Sequence, residues 1–133
     1  MGEPLASFDL TITTSKGHKS RKKLKVFVWK HLKDLRQAAK DLDKSWNWNN
    51  AAGCYLATRG KNQFGQIHLW RKLMGAGYWA HELHHFMMDY ATDTEARDYV
   101  FDREANERMA FLAGELTGQF WTEFYKTFDV KQK

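Results

Sequence analysis

The sequence has very little cysteine and proline, and it lacks a long hydrophobic run. Cys54 is the only cysteine, so the chain can form neither an internal disulfide nor a zinc site built from cysteines. Pro4 is the only proline, so no proline interrupts the later elements. No segment has the form of a signal peptide, and none is long and apolar enough to span a bilayer. We therefore expect a protein of the reducing cytoplasm with no membrane partner.

The composition indicates a folded protein of ordinary size. The chain has 133 residues, of which 43% are hydrophobic and 28% are charged. These fractions are typical of globular proteins and exclude an intrinsically disordered chain. We therefore expect one domain over residues 1–133, long enough to bury a core without disulfides.

The charge is distributed unevenly along the chain. Residues 16–44 contain eleven Lys or Arg against three Asp, whereas residues 89–123 contain nine Asp or Glu against three Arg. The basic segment is a candidate surface for nucleic acid, with four aromatic side chains nearby that can stack on bases: Phe27, Trp29, Trp46 and Trp48. The alternative is a solvated helix face and a loop, with Phe27 and Trp29 in the core of a strand.

Hydrophobic periodicity divides the chain into strands and helices. Short alternating or β-branched runs predict strands at 8–13, 24–29, 54–58 and 66–71, the first as an edge strand and the last two as a hairpin. Apolar residues at helical spacing predict helices at 31–42, 78–90 and 101–124, with a polar connector at 91–98. This order predicts an α+β fold in which a small mixed sheet packs on the helices.

The helix predicted at 78–90 contains the pattern H-E-x-x-H, formed by His81, Glu82 and His85. Residues four apart share one face of a helix, so the two imidazoles can bind one Zn²⁺. Glu82 lies beside them, at a distance that suits a proton acceptor for water held at the metal. His84 has the wrong spacing and is interpreted as a packing or supporting residue. The alternative interpretation is a buried histidine cluster without a metal.

The third zinc ligand is expected on the following helix, since catalytic zinc sites have three protein ligands and one open position. Glu107 shares its side of that helix with small residues at positions 110, 114 and 118, a pattern that lets two helices approach closely. Glu104 shares a stripe with charged and polar residues instead. Glu107 is therefore the predicted ligand, and Glu104 is the alternative.

These motifs resemble those of the zincin metallopeptidases, and among them the gluzincins. The segment from Asn106 to Ala110 resembles their N-E-x-x-A signature, and its continuation resembles very small zincin-like proteins of phages and bacteria. The resemblance covers roughly residues 66–121 and its two motifs are short. It implies a minimal zincin-like fold, one zinc ion per chain, and a glutamate ligand on the downstream helix.

The resemblance also implies a function, namely hydrolysis of peptide bonds by a zinc-activated water with Glu82 as the general base. The strand at 66–71 would be the edge strand that pairs with an extended peptide or protein substrate. Candidate donors to the oxyanion are Tyr78, Tyr90, Tyr99 and His68. The alternative function is a catalytically silent zinc protein that acts as a binding or regulatory module, in which the basic segment 16–44 contacts nucleic acid.

Overall fold

Four strands and three helices make up the structure, a computed structural model that describes residues 2–14, 17–93 and 103–128, with α3 side chains described from residue 106. In chain order the elements are β1 (Ala6–Leu10), β2 (Lys23–Trp29), α1 (Leu32–Leu42), β3 (Gly53–Leu56), β4 (Gln63–Trp70), a short 3-10 turn (Arg71–Leu73), α2 (Ala76–Thr92) and α3 (Arg103–Phe128). The predicted α+β class is confirmed. Of the polar connector predicted at 91–98, Ala91 and Thr92 belong to α2, so this part of the prediction is wrong. Residues 94–98 and the start of the helix predicted at 101 lie outside the described residues.

The four strands form one mixed sheet in the order β1-β2-β4-β3. β1 is antiparallel to β2, β2 is parallel to β4, and β3 is antiparallel to β4. A parallel pair needs a long crossover connection, and here the chain supplies it with α1 and β3. The predicted hairpin and the edge position of β1 are confirmed.

The prediction that residues 66–71 form the edge strand is wrong. Residues 66–70 belong to β4, which pairs with β2 on one side and with β3 on the other, so its backbone is already hydrogen-bonded. Arg71 begins the 3-10 turn. The second edge of the sheet is β3 instead, since in the described part of the chain it pairs only with β4. Any strand added at this edge must therefore pair with β3.

Side-chain alternation along the strands divides the core between the two faces of the sheet. In β2, Leu24, Val26 and Val28 are fully buried in the main core, which the sheet shares with α2 and α3. Phe27 and Trp29 point to the other face and pack with Leu35 of α1. This confirms the interpretation of Phe27 and Trp29 as core residues of a strand.

The orientation of α3 is set by its large apolar side chains. Four of them are buried against the sheet and α2: Leu112, Leu116, Phe120 and Phe124. The indole of Trp79 on α2 stacks on the Phe120 ring at 4.0 Å and donates a hydrogen bond to Thr117 at 3.0 Å. No helix in the described ranges has a stretch long and apolar enough to cross a membrane.

The predicted close approach of two helices along the small residues of α3 is wrong. Ala110, Gly114 and Gly118 are exposed, and a Cβ atom added at either glycine would meet nothing within 4 Å. Burying large apolar side chains removes more apolar surface from water than burying glycines, so the stripe of small residues faces outward.

His68 is a buried histidine in β4, only 2% exposed. Trp29 Nε1 donates to its Nδ1 at 2.9 Å, and its Nε2 lies 2.8 Å from the Gln66 carboxamide oxygen. Because an indole N–H can only donate, the proton of neutral His68 sits on Nε2 and is donated to Gln66. Burial lowers the pKa of His68 from 6.5 to about 4.

The low pKa of His68 makes the stability of the fold depend on pH. The pKa of His68 is lower in the folded state than in the unfolded state, so the unfolded chain binds the proton first as the pH falls. The contribution of neutral His68 to stability is therefore complete above pH 6.5 and is lost as the pH falls from 6.5 toward 4. The expected loss of unfolding free energy is roughly 3 kcal/mol over that window. Urea unfolding at several pH values measures it, with His68→Gln as the control that keeps an acceptor for Trp29. A variant that loses stability as steeply as the wild type would refute this origin.

Candidate metal centre

The helix α2 has one buried face and one open face. Trp79, Leu83 and Phe86 are buried in the main core, and Glu82 is also buried, at 5% exposure. His81, His84 and His85 are exposed on the opposite side. The 3.6-residue period therefore places the two motif histidines at the surface of the helix and the motif glutamate at its edge, beneath β3.

The motif side chains converge on one point. His81, Glu82 and His85 each offer one ligand atom, and these atoms all lie within 4.8 Å of one another. The two imidazole rings are 5.0 Å apart between centroids and are nearly perpendicular. Imidazole nitrogens and a carboxylate oxygen are the donors that zinc prefers in sites without cysteine, so the group fits this ion.

The surroundings of the group shift the pKa of two of its side chains. Burial raises the pKa of Glu82, and the nearby His81 opposes part of this effect. Burial and repulsion from His81 and His84 lower the pKa of His85, so its imidazole is neutral at pH 7. A neutral imidazole binds a metal, whereas an imidazolium does not.

An open cleft of about 690 Å³ lies over the motif. One wall is the outer face of α2, with His81, His85 and Asp89. The floor is β3 with the two residues that follow it, and the other wall comes from the end of α1 and the loop after it: Leu42, Asp43, Trp46 and Trp48. The cleft therefore runs along the β3 edge of the sheet, to which no other described strand is paired.

The start of β3 is held tightly against α2. The Tyr78 hydroxyl donates to the carbonyl of Ala52 and accepts from the backbone N–H of Trp70 at 2.8 Å. A Cβ atom on Gly53 would lie 2.6 Å from the Tyr78 hydroxyl and 3.0 Å from a Glu82 carboxylate oxygen. Only glycine lets the strand approach the motif this closely. The sequence showed Gly53 next to an apolar strand, but not what it approaches.

A hydrogen-bonded network closes one end of the cleft around Asp89. The Tyr55 hydroxyl donates to its carboxylate at 2.6 Å, and the Arg59 guanidinium binds both of its oxygens at 2.8 and 3.1 Å. Arg59 also lies 3.7 Å above the Phe64 ring. Asp89 therefore ties α2 to the β3–β4 hairpin. Tyr55 is a lining residue that the sequence did not single out.

The buried thiol of Cys54 takes no part in this chemistry. Its side chain is 4% exposed, and burial together with the charge of Glu82 raises its pKa to about 12. A thiol with this pKa stays protonated at neutral pH and is neither a nucleophile nor a thiolate ligand.

The structure does not bring Glu107 to the motif histidines. Glu107 is exposed on α3, beside the outward stripe of small residues, and is outside the donor group formed by His81, Glu82 and His85. Glu104 belongs to the first turn of α3, but its side chain lies outside the described residues. The identity of the third ligand stays a prediction. His84 is exposed and is therefore not a packing residue, and its role as a supporting residue stays a prediction.

The candidate oxyanion donors have other partners or positions. Tyr78 donates to Ala52, His68 is bonded to Trp29 and Gln66, and Tyr90 is buried in the main core. None of these three lines the cleft, and Tyr99 lies outside the described residues. Among the described residues, Tyr55 places a phenolic hydroxyl in the lining of the cleft, and this hydroxyl is already bonded to Asp89.

Comparison with known proteins leaves the site to be interpreted from its own chemistry. Comparisons with protein-family models, with curated proteins and with solved structures find no match to this chain.

Proposed function

We propose that this chain is a zinc-dependent metallopeptidase. The observation that carries the proposal is the convergence of His81, Glu82 and His85 within 4.8 Å, at a cleft that runs along an unpaired sheet edge. A metal site in a closed core would indicate a structural ion, whereas this one opens onto a groove of substrate size.

The roles of the three side chains follow from their positions. His81 and His85 would hold the ion from the exposed face of α2, and the third protein ligand would come from Glu104 or Glu107. When bound, zinc lowers the pKa of a water molecule toward neutrality and polarises a carbonyl oxygen. Glu82 is buried beside the imidazoles, and its raised pKa suits a general base that accepts a proton and returns it to the leaving amine.

The substrate would be an extended peptide or protein segment that pairs with β3. The free backbone groups of an edge strand bind such a segment irrespective of its sequence, and the adjacent pockets supply selectivity. Because Gly53 brings β3 against Glu82, a segment paired here passes directly over the motif. Cys54 is a free thiol, which agrees with a reducing compartment such as the cytoplasm.

The second candidate function is a zinc-binding module without hydrolytic activity. It is favoured by the position of Glu82, whose carboxylate lies within 4.8 Å of the donor atoms of both histidines. At this separation Glu82 can act as the third ligand itself. No residue of the motif would then remain to accept a proton from water.

Zinc content tests the proposal directly. Purified wild-type protein is expected to carry about one zinc ion per chain, and His85→Ala to lose it, because two ligands of one helix act together. Elemental mass spectrometry after dialysis against dilute zinc measures both. His84→Ala is the matched control, since His84 is an exposed histidine on the same helix with the wrong spacing. A wild-type protein without zinc after reconstitution would refute the proposal.

The same measurement distinguishes the candidate third ligands. Zinc lost from Glu104→Ala and retained by Glu107→Ala would assign Glu104, and the reverse result would assign Glu107. Zinc retained by both variants would leave Glu82 as the remaining candidate.

A further inference from the structure

The loop between α1 and β3 is ordered by its own hydrogen bonds. Trp48 Nε1 donates to the Asp43 carbonyl at 2.8 Å, and the Trp48 carbonyl accepts from the backbone N–H of Ala51 at 3.1 Å. Arg36 Nε also donates to the Ala51 carbonyl, at 2.8 Å. These bonds hold the loop together and tie it to α1 through Arg36, so Trp48 has a defined position at the cleft.

This loop presents apolar surface at the mouth of the cleft. Trp48 packs against Ala39, Cys54 and Leu56, and the Trp46 ring lies 6.4 Å from it between centroids. Trp46 is nevertheless 67% exposed, and Leu42 beside it is 43% exposed. We call Leu42, Trp46 and Trp48 the aromatic wall. Contiguous exposed apolar groups that line a cleft are typical of binding sites.

The alternation of β3 determines which substrate side chains meet the aromatic wall. Gly53 and Tyr55 face α2, since they approach Glu82 and Asp89. Cys54 and Leu56 face the other side, where they pack with Trp48. A strand paired with β3 alternates in the same way, so every second side chain points to the aromatic wall and the others point to the metal motif.

The charge of the cleft favours a peptide over a nucleic acid. Of the described residues that line it, Asp43, Glu82 and Asp89 carry carboxylates, and none is a Lys or an Arg. Phosphates in this groove would be repelled by Asp43 and Glu82. The proposed zinc ion would offer a cation at one point only, whereas nucleic-acid sites supply several along the backbone. A peptide backbone, in contrast, finds its hydrogen-bonding partner in β3.

We propose that the aromatic wall selects peptide strands that carry a bulky apolar side chain, which packs on Trp46 while the strand pairs with β3. As a substrate specificity, this preference rests on the proposed peptidase function. The binding itself needs only the edge strand β3 and the aromatic wall. The substrate class is therefore an extended peptide or protein segment with aromatic or large aliphatic residues at alternate positions.

The test uses fluorescently labelled octapeptides in which serine alternates either with phenylalanine or with alanine. Fluorescence anisotropy with the zinc-reconstituted protein gives the Kd, and mass spectrometry of the same samples reports cleavage. The preference is the ratio of the Kd values of the two peptides. If the protein cleaves them, the preference is instead the ratio of their kcat/KM values. We expect the wild type to prefer the phenylalanine peptide about tenfold.

The variants distinguish binding at the aromatic wall from non-specific hydrophobic binding elsewhere on the surface. Trp46→Ala is expected to reduce the preference to about twofold or less, whereas Trp46→Phe retains most of it. Trp46 is largely exposed, so its substitution leaves the fold intact. The matched control is Phe111→Ala, which removes an aromatic ring that is 71% exposed on α3, outside the cleft, and is expected to keep the full preference.

The outcomes distinguish this inference from the proposed function. Preference without cleavage supports the wall and refutes the peptidase, and cleavage without preference supports the peptidase and refutes the wall. An unchanged preference in Trp46→Ala also refutes the wall. The inference is also refuted if the wild type binds a single-stranded oligonucleotide more tightly than the phenylalanine peptide and Trp46→Ala loses this binding. That result would assign the Trp46 indole to base stacking.

Discussion

Glu82→Gln is expected to retain zinc and to lose peptide hydrolysis by about 100- to 10,000-fold. The amide has the shape of the carboxylate and fills the same buried position, so His81 and His85 keep their geometry. An amide does not accept a proton at neutral pH, so attack by water loses its base. Zinc content and the kcat for a peptide that the wild type cleaves are measured on the same preparation.

The variant also separates the two candidate functions. If Glu82 is a zinc ligand, the neutral amide binds the ion less tightly, and zinc is lost together with any activity. Retained zinc with activity equal to the wild type would refute the assignment of Glu82 as the base. Asp89→Asn is an unsuitable control because Asp89 holds Tyr55 and Arg59. Glu115→Gln, on α3 and outside the cleft, is the neutral comparison.

The local elements of the fold could be predicted because their patterns are local. The periodic apolar residues of α2 are the ones that the main core buries, so the helix and the shared face of His81 and His85 followed from spacing alone. The alternation in β2 likewise assigned Phe27 and Trp29 to a packed face. Each of these predictions depends on residues only a few positions apart.

The pairing of strands could not be predicted in the same way. β4 becomes interior because it pairs in parallel with β2, a strand about 40 residues earlier in the chain, and no local pattern encodes that contact. The apolar residues of β4 fit an edge strand and an interior strand equally well. The sequence therefore could not show that β3, and not β4, is the edge strand beside the site. Only the pairing of all four strands shows it.

The orientation of α3 shows the same limitation for a helix. Gly114 and Gly118 at helical spacing fit a close helix contact, but Leu116 and Phe120 at a competing spacing bury more surface and set the rotation. Glu107 follows the glycines to the exposed side. Spacing alone does not decide between two faces of one helix when both have a packing interpretation.

Gly53→Ala is expected to destabilise the fold by about 1–3 kcal/mol, because the new methyl group would overlap the Tyr78 hydroxyl and crowd Glu82. Tyr78 cannot turn away without giving up its bonds to Ala52 and Trp70. Hydrolysis is expected to fall by more than the folded fraction, since β3 and Glu82 are pushed apart. Urea unfolding and kcat on the folded protein measure the two effects.

A double-mutant cycle identifies the hydroxyl as the group that the methyl meets. Tyr78→Phe removes the atom 2.6 Å from the added Cβ and leaves ring and carboxylate atoms at 3.0 Å. The double variant is therefore expected to be more stable than the sum of the two single effects predicts, by roughly 1 kcal/mol. Gly114→Ala, where the methyl meets nothing, is the matched control and is expected to stabilise α3 by about 0.5–1 kcal/mol. If the stability changes of the two single variants simply add up in the double variant, the added methyl group does not clash with the Tyr78 hydroxyl. The contact between β3 and α2 would then not depend on Tyr78.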